Sequence, residues 1–451
     1  MKTRIASSLS SVCCALILLS QPAHAETLQD IYLQAVENDH RFKAAQAQRD
    51  AGVENRNLRR AALLPQIAGD ASWQKSDVEN DVISEQNPAQ YDGTQTAYGV
   101  GLSQSIINLS NWHRFAQGRA LADIAEAEFL VAQEDLILRT SRAYFDALQA
   151  VDNLATAKAE EDALGHQLEQ TKQRFTVGLT AITEVHEAQA AYDSATANRL
   201  VAEGALGIAF EALEVLTGQS YRSLSPLLDD FPVTPPQPSN REEWVQMALD
   251  NNASLKASWF AARSAESNAK AAKSDHLPTL GGSIRYGNTA RDIDENTVLD
   301  QTATTIQLDL SVPLFAGGGI SAARRQTANQ YVQAREIYLQ TQRDTVQNAR
   351  SRHLNVLTTA ATVKARKQAI TSSRSALEAT QAGYDVGTRD LVDVLNAQRN
   401  LYSAQRDYYN ALYSYVIATL QLKQAAGVLV AADVGELNQW LDKSRSVIYT
   451  P

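Results

Sequence analysis

Two carboxylates stand at matching places in this chain of 451 residues: Glu184, six positions after Gly178, and Asp393, six after Gly387. Their surroundings match as well. Between "KQRFTVGLTAITEVHEAQAA" (172–191) and "QAGYDVGTRDLVDVLNAQRN" (381–400), Phe175 aligns with Tyr384, Val177-Gly178 with Val386-Gly387, and Ala188-Gln189 with Ala397-Gln398, at an offset of 209 residues. A carboxylate alone can accept hydrogen bonds or hold charge, whereas acid–base or nucleophilic catalysis needs a second group within reach. No Ser/His/Asp set or carboxylate pair stands out as that group. The histidines at 40, 113, 166, 186, 276 and 353 lack metal-ligand spacing. "FAGGGISAARR" (315–325) lacks the endings and spacings of a phosphate loop and reads as a strand-to-helix corner. The chain thus reads as a protein without enzymatic chemistry or cofactor.

The elements around the two turns are also written twice. "LLPQIAGDASW" (63–73) answers to "HLPTLGGSIRY" (276–286), and "LQDIYLQAVENDHRFKAA" (28–45) to "REEWVQMALDNNASLKAS" (241–258). This is a tandem duplication: a first structural repeat over 26–225, a proline-rich connector at 226–239, and a second repeat over 240–427. Each repeat opens with a helix (27–62 and 240–275), started by Thr27 and by Ser239 with Glu242 as a capping box. A strand pair follows, within 66–107 and within 279–315, with long acidic loops expected at 74–96 and 287–303. Tyr98, Val100, Leu102, Gln104 and Ile106 share one strand face, while Gly99, Gly101, Ser103 and Ser105 share the other. Ile306, Leu308, Leu310, Val312 and Leu314 alternate in the same way with Thr305, Gln307, Asp309 and Ser311. An apolar outer face and a small or polar inner face are the pattern of a membrane barrel strand.

Helical hairpins come next, over 110–216 and 319–425. The outgoing helices, about 65 residues without proline, would each reach roughly 100 Å. Val356, Val363, Ile370, Leu377 and Tyr384 recur every seven residues, as do Val394, Leu401, Tyr408, Tyr415 and Leu422, and Leu130, Ile137, Tyr144 and Val151. These are coiled-coil seams, and the glycine turns reverse the chain at the far tip. A first helix and a return helix stacked end to end would match the long helix beside them, giving a barrel-tipped, double-walled helical cylinder.

Export fits this plan. Lys2 and Arg4 precede the apolar run 12–19, and Ala23-His24-Ala25 offers a cleavage site, so residues 1–25 read as a signal peptide that carries both cysteines, Cys13 and Cys14. No later apolar run could cross a bilayer as a helix, but β-barrels need none. A net charge of −10 argues against nucleic acid as partner. Four strands cannot close on themselves in lipid, two chains would give a barrel filled by side chains, and three would give twelve strands with a lumen. The fold class expected is therefore mixed but mainly α: a homotrimeric transmembrane β-barrel continued by a long coiled-coil helical tunnel, which the family resemblance given next makes periplasmic.

"LLPQIAGDASW", "LSQSIINLSNW", "QRFTVGLTAITEV", "HLPTL", "SVPLFAGGG" and "GYDVGTRDLVDVLNAQ" resemble the TolC family of outer membrane factors. The resemblance spans essentially the whole chain after residue 25. It implies an exit duct in the Gram-negative outer membrane, in contact with its lipid, exporting drugs or proteins in efflux pumps and type I secretion systems. It implies docking to a periplasmic adaptor (a membrane fusion protein) and an inner-membrane RND, ABC or MFS translocase, and makes residues 428–451 an equatorial segment. Family motifs further imply a constriction ring at Asp393 and Asn396, the second position being Asp in most relatives. They imply a gate latch in which Arg389 pairs with Thr183 and Glu184, and Tyr384 with Glu184, a position usually held by Asp. Adaptor-docking tips would be Val177, Gly178 and Leu179, with Val386, Gly387 and Thr388. A trimeric coiled-coil adhesin is the alternative, though a fibre has no use for hairpins that double back. A hydrolase with a helical insertion finds no support in the chemistry.

Overall fold

The computed structural model describes residues 25–79, 90–294 and 297–448. Residues 1–24 of the expected leader lie outside them. The first repeat folds as α1 (Leu28–Asn38), α2 (His40–Val53), α3 (Asn55–Ala61), β1 (Gln66–Glu79), β2 (Gln90–Ile107), α4 (Leu109–Thr176) and α5 (Ile182–Thr217). A two-residue strand, β3 (Ser223–Leu224), precedes the connector. The same order then returns as α6 (Arg241–Asn251), α7 (Ala253–Ser274), β4 (Thr279–Asp294), β5 (Thr297–Ser311), α8 (Gly319–Asp385) and α9 (Leu391–Ala425). The chain closes with α10 (Ala431–Asn438) and β6 (Val447–Ile448).

Three expectations are corrected. The opening helix of each repeat is broken, at Asp39 and at Asn252, because short polar side chains there compete for local backbone groups. Asp39 Oδ1 accepts the Phe42 N–H at 2.7 Å, and Asn252 Nδ2 donates to Ala425 O at 3.1 Å. The second repeat is capped not by Ser239 but by Asn240, whose side chain accepts the Glu242 N–H at 3.0 Å, while Thr27 does form a capping box, with Asp30. Finally, most of 74–96 and 287–303 is strand: pairing runs from Gln66↔Ser103 to Glu79↔Gln90, and from Thr279↔Ser311 to Asp294↔Thr297. A ladder needs backbone partners, not apolar side chains, so it outlasts the apolar alternation. Residues 80–89 and 295–296 lie outside the described residues.

The folded chain divides into two compact units that cut across the repeats. One comprises residues 45–130 and 253–343. Its sheet is antiparallel throughout, in the order β1-β2-β4-β5. Val100 pairs with Tyr286, Leu102 with Ile284, and Ile284 with Ile306, so the apolar residues of all strands share one face. That face is bare: Ile306 is 74 % exposed and Leu308 70 %. On the opposite face Arg285 Nη2 reaches across β2 to Asp70 Oδ2 at 2.5 Å. Glycine opens the path, since a Cβ on Gly99 would meet Arg285 Nη2 at 3.2 Å and Tyr286 O at 3.0 Å. Among the described residues β1 and β5 are each paired on one side only.

The other unit holds the remaining residues and the main core. Ile137, Tyr144, Val356, Val363, Tyr415 and Leu422 of the heptad seams are buried there, whereas Leu130, the first seam residue on α4, is exposed. Tyr144 Oη donates to Ser225 O at 2.7 Å, anchoring the chain ahead of the connector. Ion pairs sew the helices together: Arg406 with Glu160 at 2.7 Å and Arg139 with Asp39 at 2.7 Å.

Asp152 is the exception, a buried carboxylate whose close partner is a neutral phenol: Tyr413 Oη donates to its Oδ2 at 2.6 Å. Burial lifts its pKa to about 6, and the Tyr413 hydrogen bond only partly offsets this. Raised above the ordinary 3.8, the carboxyl binds its proton more tightly in the folded state, so stability present below about pH 4 is lost as pH rises through 6. Asp152→Asn keeps an acceptor for Tyr413 and cannot ionise. It should raise the thermal midpoint at pH 8 by an amount equivalent to about 2–3 kcal/mol, with the gain shrinking toward pH 4 in a melting series.

Candidate functional site

The paired turns of the sequence fold almost identically. Gly178 has φ +76° and Gly387 φ +79°, in the left-handed region where only glycine is unstrained. Gly178 N–H donates to Phe175 O at 3.0 Å and Leu179 N–H to Arg174 O at 2.8 Å; Gly387 to Tyr384 and Thr388 to Gly383 repeat those distances. Each helix thus ends on a glycine-terminated cap. A Cβ on either glycine would meet nothing within 4 Å, so the requirement is backbone conformation and not space. Val177, Leu179 and Val386 are left about 70 % exposed at the two turns, beside exposed Gly178, Gly387 and Thr388.

Behind the turns lies a small core of Leu164, Leu168, Ala188, Ala191, Ala195, Tyr384, Leu391, Val394 and Leu395. Tyr384, buried in it, donates its Oη to Glu184 Oε2 at 3.2 Å, linking the hairpins across 200 residues of sequence. Burial, followed by the Glu184 charge, pushes the phenol above its ordinary pKa, so it remains a donor at neutral pH. Over its ring, 4.9 Å from the centroid, sits the guanidinium of Arg174. Repeat comparison could have flagged Arg174, because the matching position is Gly383, where a Cβ would strike Arg389 Cγ at 2.8 Å.

Within its own chain Arg389 holds Asp393 at 3.3 Å. Four residues apart at the start of α9, the two meet without ordering a second hairpin. Asp390, which drew no attention in the sequence, caps α9 by accepting the Asp393 N–H at 2.9 Å; its counterpart Ala181 has no side-chain acceptor. Thr183 and Asn396 are exposed, Asn396 one turn beyond Asp393. No group of three or more metal-ligating side chains occurs among the described residues.

These hairpins and the two-faced sheet define an outer-membrane channel subunit. The sequence profile of the outer membrane efflux protein family matches residues 31–219 and 244–428, and the chain belongs to that family. It is 39 % identical to outer membrane protein TolC of Vibrio cholerae over 433 residues, 95 % of this chain and 97 % of that one. It is 31 % identical to the alkaline protease secretion protein AprF of Pseudomonas aeruginosa, over 93 % of this chain and 88 % of the relative. Its fold is that of the CmeC outer membrane channel of Campylobacter jejuni, with a TM-score of 0.77 at 19 % identity, covering 92 % of this chain and 90 % of the other.

Removing the Asp390 cap should cost the start of α9 about 1 kcal/mol. In Asp390→Ala the Asp393 amide should exchange roughly five-fold faster by hydrogen-exchange mass spectrometry, with α5 unchanged.

Proposed function

We infer that this protein is an exit duct of the Gram-negative outer membrane. Three copies pool their strands into a twelve-stranded barrel, and their helices continue it as a tunnel across the periplasm. Drugs or proteins leave through it when the hairpin tip docks to a periplasmic adaptor and an inner-membrane translocase of the RND, ABC or MFS type. The duct itself catalyses nothing, and energy comes from the translocase. The single observation that carries this function is the sheet, apolar and bare on one face, small and polar on the other, with a free edge on both β1 and β5. Open edges are not tolerated in lipid, and three copies closing edge to edge satisfy them while leaving a lumen. An adhesin fibre would explain neither the two-faced sheet nor the matched tips.

At the tip, three Asp393 carboxylates surround the axis and draw cations to the mouth. Asn396 leaves the next level uncharged, and Arg389 offsets part of the Asp393 charge. The Tyr384–Glu184 hydrogen bond, supported by Arg174, holds the hairpins closed with about 1 kcal/mol per copy, weak enough for adaptor contact at Val177, Gly178, Leu179, Val386, Gly387 and Thr388 to release. Thr183 flanks that link.

Purified protein in a planar bilayer tests both parts. Wild type should give discrete single channels, and Tyr384→Phe should raise their conductance; absence of any channel would overturn the duct, and unchanged conductance the latch. Across a salt gradient at low ionic strength, where screening is weak, Asp393→Asn should reduce cation selectivity. Arg389→Ser and Asn396→Asp should each increase it. Reversal potentials of all three variants indistinguishable from wild type would remove these residues from the constriction.

A further inference from the structure

In the unit that holds the main core, residues of α4, α8, α9, the connector and the segment before β6 enclose a cavity of about 360 Å³. That volume suits a small organic molecule. Its least exposed lining residues are Leu227, Leu412 and Tyr413. Tyr413 Oη holds the Asp152 carboxylate among them through its 2.6 Å hydrogen bond. Tyr408 and Tyr409 add two more rings, with centroids 5.5 Å apart and planes inclined at 59°. Lys367 and Arg445 line the cavity at its exposed side, Arg445 loosely paired with Asp229 at 3.8 Å.

The helical frame does not require this set. At the 209-residue offset that aligns the two hairpins, Asp152 corresponds to Ala361. Tyr408, Tyr409 and Tyr413 correspond to Arg199, Leu200 and Gly204. The same pair of helices thus folds in the other repeat without any of the four. Asp152 is also costly, since a carboxylate withdrawn from water with only a phenol as partner resists ionisation. A group that weakens the fold and lines a cavity is a candidate for binding.

Charge specifies the ligand. Tyr413 is the one side-chain partner of the Asp152 carboxylate among the described residues. Of the charged neighbours, Arg445 favours its ionised form and Asp229 opposes it, and burial outweighs both. The Tyr409 and Tyr413 phenols, raised by burial and then by the Asp152 charge, stay neutral donors. The inner end therefore lacks a cation. An ammonium there would bond the carboxylate and lie against tyrosine rings. The outer end is the reverse: Asp229 is 96 % exposed and screened by solvent, which leaves Lys367 and Arg445 facing the cavity as cations. A ligand of single sign would leave one end unmatched.

We propose that this cavity binds a small zwitterion of the amino-acid class, with its ammonium on Asp152 among the tyrosines and its carboxylate toward Lys367 and Arg445.

Titration calorimetry on the purified full-length protein tests this with γ-aminobutyrate, 5-aminovalerate and 6-aminohexanoate, each beside the amine and the carboxylate of matching chain length. At about pH 8 at least one of the three should bind, and its singly charged analogues roughly five-fold more weakly or less. Asp152→Asn keeps an acceptor for Tyr413 and should melt no lower than wild type, yet bind about ten-fold more weakly. Lys367→Ala combined with Arg445→Ala should weaken the zwitterion about ten-fold and leave the amine unchanged. A proton competes for Asp152, whose pKa is about 6, so wild-type affinity should fall about ten-fold from pH 8 to pH 5, and that of Asp152→Asn should not. The site is overturned if wild type binds none of the three, if Asp152→Asn binds as tightly as wild type, or if affinity ignores pH. An amine bound as tightly as its zwitterion would overturn the role of Lys367 and Arg445.

Discussion

A backbone amide in lipid must find a partner within the protein, and the organisation of this chain depends on that constraint. Among the described residues its sheet satisfies every strand internally except along the outer edges of β1 and β5. On β5 one face presents Ile306, Leu308 and Leu310, all exposed. In the duct proposed above, further copies of the sheet cover those edges. On the duct reading proposed above, oligomerisation is thus a condition of membrane insertion and not an addition to it, and the helices must be compatible with neighbouring copies.

Duplication supplies that compatibility cheaply, and divergence between the repeats supplies function. Both turns keep the left-handed glycine and the same pair of backbone hydrogen bonds. Around this shared frame the side chains differ. Arg174 occupies in one repeat the place that Gly383 must leave empty in the other so that Arg389 can lie against the helix. Asp390 caps α9 where Ala181 offers α5 nothing. One hairpin therefore concentrates acid and arginine at its start, and the other contributes Glu184 as the acceptor that joins them.

Away from the tip, stability comes from mixed contacts. The long helices bury their seam residues, and arginine bridges such as Arg406–Glu160 and Arg139–Asp39 join helices beside them. Paired charges of this kind hold orientation more than they add stability. Asp152, joined to Tyr413 deep between helices, opposes folding above pH 6 and makes the region pH-sensitive.

Local periodicity determined a great deal from the sequence alone. A seven-residue apolar repeat without proline is a property of one segment, so α8 ends one residue past Tyr384, the last of its seam, and both turn glycines were visible because left-handed backbone demands them. Alternation likewise named the two strand faces. What escaped were choices between partners distant in the chain. The strand ladders run beyond the alternation because their pairing partners continue. Arg389 also meets Asp393, a neighbour on the same helix that is reached with little loss of side-chain freedom. Arg285 crosses a glycine to Asp70, 215 residues away. Helix breaks at Asp39 and Asn252 arise where polar side chains satisfy backbone groups that only the packed structure brings near. Periodicity and backbone conformation are encoded residue by residue; which of several equally suitable groups a side chain meets is settled only when packing has set their distances.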